Sequence, residues 1–149
     1  GGFFSPHVYF IFSHDVIYIG ESQRIPVTRW GSHLEKNGSF YKKLLKYLSG
    51  DSTFQYMESL AFYSIACKKE LSEIEEYYCG YRIPTQALEH KLHEIVKSTS
   101  TFGSNMSVIS ETVKTAPRNF YHWELIDELA QVCIKKIIML RLNSPESIF

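Results

Sequence analysis

The chain has 149 residues, enough for one domain with its own core, and 44% of them are apolar, which excludes an intrinsically disordered segment. Its 16 basic and 16 acidic residues cancel, so it is no strongly basic, nonspecific nucleic-acid binder. No apolar run reaches the length of a membrane span and nothing resembles a secretory signal, so an intracellular protein, cytoplasmic or nuclear, is expected. Charge is uneven: residues 1–50 carry six Lys/Arg against three Asp/Glu, residues 51–97 five against eight. A modest basic face is therefore available near the start of the chain. Cys67, Cys79 and Cys133 form no CxxC pair and read as reduced thiols that fill core positions.

In chain order, residues 7–12 and 16–20 are β-branched and aromatic runs separated by Ser13-His14-Asp15, which predicts a β-hairpin. Alternation puts Tyr9 and Ile11 on one face, together with Tyr18 and Val16. Pro26 opens a helix over residues 27–34, which sets Arg29 and His33 one turn apart on one side. Residues 40–48 form a second helix bearing Lys42, Lys43 and Lys46. Residues 60–67 are expected to form a strand buried on both faces, and the acidic residues 70–78 a helix. Residues 84–97 follow as a helix with Leu88, Leu92 and Ile95 or Val96 inward. Residues 98–107, rich in Ser, Thr and Gly, read as a loop, and residues 121–142 as a final helix of about six turns. That last helix is apolar on several faces, which suits packing on the domain or pairing with a partner. The fold class is mixed α/β: a small sheet that starts with a hairpin, flanked by helices.

Several side chains exceed what a core requires. Tyr9 and Tyr18 fit a hairpin core equally well, but a phenol beside a metal and a cation shifts toward phenolate from its usual pKa of about 10 and accepts a proton from water. Gly20 is either a turn glycine with positive φ or a point of close backbone approach to phosphate. Arg29, otherwise a solvated helix residue, offers a bidentate fork for phosphate, and His33 reaches the same point. Glu89 is an exposed helix residue or a cation ligand, since one carboxylate with phosphate oxygens and waters holds Mg²⁺. A zinc site of Glu89, His90 and His93 is a rival, although its spacing does not let all three converge. Asn105 is a turn residue or a hydrogen-bonding group, and the three lysines grip backbone phosphates or form a solvated helix face.

The order Val8-Tyr9, Tyr18-Ile19-Gly20, Arg29-Trp30-x-x-His33, Glu89 and Asn105 resembles the GIY-YIG nuclease family over roughly residues 7–107. His7-Val8-Tyr9 replaces the family's Gly-Ile-Tyr, and Glu21 stands where Lys or Ser commonly follows the second motif. The resemblance implies a nuclease-like domain over residues 1–107 and a C-terminal helical extension over residues 108–149. It also implies a DNA endonuclease dependent on Mg²⁺ or Mn²⁺, held by Glu89, with Tyr9 as base, Tyr18 beside it, and Arg29 and His33 at the phosphate. Gly20, Lys42, Lys43, Lys46 and Asn105 are the candidate substrate contacts. DNA is the expected partner, with RNA as the alternative and a homodimer through the last helix as a further expectation. The rival function is a nucleic-acid- or protein-binding module on this fold with weak or no catalysis.

Overall fold

The structure, a computed structural model, describes residues 6–22, 39–48, 53–72, 77–78, 81–112, 118 and 120–143. β1 (His7–Ser13) and β2 (Val16–Ser22) form the antiparallel hairpin, with Tyr9 opposite Gly20 and Ile11 opposite Tyr18. His14 adopts a left-handed φ of 49° and so closes a two-residue turn. A short helix, Thr53–Glu58, clamps that turn. The Ser13 hydroxyl donates to the Tyr56 carbonyl at 2.6 Å, and the Tyr56 hydroxyl donates to Asp15 Oδ1 at 2.7 Å. Accepting that bond, the Asp15 carboxylate raises the Tyr56 phenol to about 12.

The sheet order is β3–β1–β2–β6. β3 (Ala61–Ala66) pairs antiparallel with β1, and β6 (Ser107–Val108) pairs parallel with β2. In chain order the helices are α1 (Ser39–Leu48), α2 (Thr53–Glu58), α3 (Lys68–Ser72), α4 (Ile83–Thr99) and α5 (Trp123–Leu142). Strand alternation divides the hairpin side chains between two layers. Val8, Phe10, Phe12, Ile17 and Ile19 meet Leu88 and Leu92 of α4 and Ile126, Ala130 and Ile137 of α5. Tyr9, Ile11, Val16 and Tyr18 meet Phe40 and Leu44 of α1 and Leu60. The C-terminal helix therefore shares one core with the sheet. Lys91 binds it to α4 through Asp127 at 3.2 Å and lies 5.4 Å over the Trp123 ring. At its other end the Arg141 guanidinium stacks 3.9 Å over Phe12.

Two elements differ from expectation. β3 is buried on one face only: Tyr63 and Ile65 enter the α4–α5 core, while Phe62 and Ser64 stay half-exposed. It is one of the sheet's two outer strands among the described residues, and its second face is covered only in part. The acidic helix expected over residues 70–78 is a five-residue helix, Lys68–Ser72. Tyr77–Tyr78 instead form β4, which pairs with β5 (Tyr81–Arg82), because consecutive aromatics prefer a strand. No helix among the described residues is long and apolar enough to cross a membrane.

Gly20 is a regular strand position, not a turn. A β-carbon built there would lie 2.6 Å from Tyr9 Cε2 and closer still to Cζ and Oη, so the glycine exists to let the Tyr9 ring lie across β2. Gly20→Ala should destabilise the protein by about 1–3 kcal/mol through overpacking, read as a lower urea midpoint. An unchanged midpoint would show that the ring moves freely.

Candidate active site at the Gly20 end of β2

Tyr9 and Tyr18 share one face of the hairpin. Tyr9 is fully buried, while Tyr18 packs edge-on against Phe40 at 5.7 Å and retains 8% exposure. Because Tyr9 crosses Gly20, its hydroxyl is carried over the backbone of β2 toward the strand's outer edge. This brings the first motif onto the glycine of the second.

Glu89 approaches from α4, on the opposite layer. It is 8% exposed, in contrast to an ordinary helix-surface Glu. Its position along β2 is fixed by a buried hydrogen-bond line. The Ile19 N–H donates to Ser110 Oγ at 2.8 Å, Ser110 Oγ lies 2.7 Å from His93 Nε2, and His93 Nδ1 lies 2.8 Å from the Glu89 carbonyl. A carbonyl only accepts, so Nδ1 carries the proton and Nε2 accepts from the Ser110 hydroxyl. Further along α4, Val96 lines a small cavity with Ile17. The helix therefore runs back along β2 from Ile17 to Ile19. Glu89 stands one helical turn before His93, about 6 Å farther along the helix in that direction. Since Glu89 and His93 are four residues apart, they share the side of α4 that faces this edge.

His93 and Ser110 are the residues that sequence reasoning did not place in the site. Burial lowers the His93 pKa to about 4, so the ring is neutral at pH 7 and Nε2 is free to accept. Both its ring nitrogens are engaged, which removes it from the rival zinc set. Among the described residues no group of three His, Cys, Asp or Glu could hold a metal.

On the α1 side, Lys43 Nζ lies 3.0 Å from Glu111 Oε2, next to Ser110. That ion pair, with Lys46 and Lys97 nearby, holds the Glu111 carboxyl below its usual range. Lys43 and Lys46 thus stand near Glu111, and Lys42 and Lys46 are both exposed on the helix. Asn105 is exposed in the turn before β6. Ser107 bonds Asp15 and pairs with Val16, so Asn105 lies at the hairpin-turn end of β2, away from Gly20. Arg29, Trp30 and His33 lie outside the described residues, as does Cys79; Cys67 and Cys133 are buried free thiols.

The surroundings of Glu89 suit a hard divalent cation. Thr85 and Gln86, four and three residues before it, carry buried side-chain oxygens, Oγ1 and Oε1, with no hydrogen-bond partner. Neutral oxygens one turn from a carboxylate on the same helix are groups that the waters of such an ion bind.

The hairpin thus lays the Tyr9 phenol over Gly20, and the helix packed on its other layer carries a buried carboxylate, Glu89. The family model described as GIY-YIG catalytic domain matches residues 5–86, just over half of the chain, and the chain belongs to the GIY-YIG family. Neither the curated proteins nor the solved structures yield a match. Glu89 lies three residues beyond the matched segment.

The neutral His93 makes stability pH-dependent. Its folded pKa is below the unfolded value of 6.5, so protonation favours unfolding. Its contribution is complete above pH 6.5 and should decline by about 3 kcal/mol as pH falls from 6.5 to 4. Urea unfolding of wild type and His93→Gln across that range should show a shallower pH slope in the variant. Equal slopes would contradict the assignment.

Proposed function

We propose that this GIY-YIG domain is a DNA endonuclease that depends on a divalent cation, with Tyr9 as general base and Glu89 as the cation's protein ligand. What supports this reading is a carboxylate, Glu89, buried on α4 one turn before His93, whose bond to Ser110 ties that helix to Ile19, next to the Gly20 over which Tyr9 lies. Tyr9 accepts a proton from the attacking water, and Tyr18, which retains surface access, relays it outward. Arg29 neutralises charge developing on the phosphoryl oxygens, and His33 supplies a proton to the departing 3′ oxygen. The new P–O bond comes from water and the P–O3′ bond breaks, leaving 5′-phosphate and 3′-hydroxyl ends. Mg²⁺ or Mn²⁺, when bound, would lower the charge barrier at the phosphate and the leaving oxygen. Lys43 and Lys46 are assigned to flanking backbone phosphates, where Lys43 would exchange Glu111 for phosphate. Exposed Lys42, and Asn105 at the hairpin-turn end of β2, would touch other parts of the duplex backbone.

The partner of α5 follows from its outer face. Leu125, Val132 and Met139 recur every seven residues at 51%, 45% and 59% exposure. Antiparallel pairing of two copies about Val132 would set Leu125 against Met139 and Glu128 against Lys136, each pair formed twice. We therefore assign this face to a homodimer that brings two nuclease sites to one duplex. In sedimentation velocity the wild type should be dimeric and Val132→Glu monomeric. A monomeric wild type at high concentration would rule the dimer out.

Plasmid cleavage tests the catalytic reading. Glu89→Gln and Arg29→Ala should keep the wild-type circular dichroism spectrum and lose activity by at least about a hundredfold, and EDTA should abolish cleavage by the wild type. Normal cutting by folded Glu89→Gln would overturn the role of Glu89, and binding without cutting by the wild type would favour the rival binding module.

A further inference from the structure

Thr85 is fully buried in the first turn of α4, yet its hydroxyl has no hydrogen-bond partner. One residue on, the Gln86 side-chain carbonyl oxygen is also buried and unpartnered. An orphaned buried polar atom costs about 1–3 kcal/mol, and two on one helical turn call for a common cause. Both stand on the side of α4 that carries Glu89, at the preceding turn. Resting on the reading of Glu89 as a cation ligand, we propose that Thr85 and Gln86 form the polar seat for the waters of the hydrated cation.

The chemistry matches each atom. Mg²⁺ and Mn²⁺ bound through a single carboxylate keep most of their hydration waters. Those waters are polarised donors and need acceptors close to the carboxylate. Gln86 Oε1 is a pure acceptor, and Thr85 Oγ1 accepts while its own hydrogen is free to rotate toward a second water. Neither side chain ligates the ion directly in this account. They orient its water shell and so fix where the ion sits relative to Glu89, as residues behind a metal ligand generally do. They are positioning residues. Both precede the carboxylate on the same helix, so the seat moves with the ligand as one rigid unit.

The test separates this role from a structural one by reading metal affinity and apo stability together. Mn²⁺ alone is the probe, followed by electron paramagnetic resonance of the free ion during titration of the intact chain. Thr85→Val is isosteric and removes an unsatisfied hydroxyl, so its apo melting temperature should hold or rise, while its Mn²⁺ affinity should fall about 10–100-fold. Gln86→Leu should lose affinity similarly, and Thr85→Ser, which restores the hydroxyl, should bind as the wild type does. If Thr85→Val and Gln86→Leu bind Mn²⁺ as tightly as the wild type while Glu89→Gln does not bind, the seat is wrong and Glu89 stands. If the wild type binds no Mn²⁺, the seat falls together with the cation reading of Glu89. A fall in apo stability of Thr85→Val with unchanged affinity would make the hydroxyl structural and overturn the proposal.

Discussion

The geometry of the site depends on one buried line of hydrogen bonds, Ile19 N–H to Ser110, Ser110 to His93, and His93 to the Glu89 carbonyl. It crosses from strand to helix through the segment that follows β6. The Glu89 carbonyl puts a proton on His93 Nδ1, and burial keeps the imidazole neutral, so Nε2 accepts from the Ser110 hydroxyl. Protonated His93 would present a second N–H to a serine oxygen already accepting from Ile19. The line ties α4 to β2 at Ile19, and in the proposed site it sets which helical turn stands toward the Gly20 end. A slip of one turn would replace Glu89 with Thr85 or His93 at that level and leave no carboxylate there.

The second constraint is the contact between Tyr9 and Gly20. The glycine and the tyrosine are separate motif letters in sequence, but in the fold they are one feature, a phenol laid across a strand that lacks a β-carbon. The two constraints act from opposite layers of the sheet. Apolar burial in each layer holds the sheet between α1 and the α4–α5 pair, with the side chains of β1 and β2 divided strictly by alternation. Most of the folding free energy resides there, and the polar line adds specificity of register rather than bulk stability.

Much of this was legible in the sequence because it is local. Alternation at period two revealed the hairpin and put Tyr9 with Tyr18. The 3.6-residue spacing of Leu88, Leu92 and Val96 revealed α4 and its inward stripe. The nuclease family was legible from ordered motifs. What stayed hidden depends on distant contacts. Ser110 bonds Ile19 across 91 residues, and nothing in Val108-Ile109-Ser110 marks that hydroxyl as an edge cap. His93 stood out only as a neighbour of Glu89, since its bond to Ser110 is tertiary. β3 looked fully buried because its composition is apolar, but composition does not tell an outer strand from a central one. Asn105 sat at a suggestive distance after Glu89, while the parallel pairing of β6 with β2 carries it to the far end of the strand. Arg29 and His33 are legible only as sequence, outside the described residues.

The central claim is that the hydrogen-bonded register of α4 brings Glu89 to the strand end where Tyr9 crosses Gly20, and that a divalent cation binds there. The most direct measurement is anomalous diffraction from a crystal of the chain soaked in Mn²⁺. The account predicts one strong anomalous peak on the Glu89 carboxylate, on the side of β2 toward which the Tyr9 hydroxyl projects. A peak elsewhere in the chain, or no peak at Glu89 at saturating Mn²⁺, would contradict it.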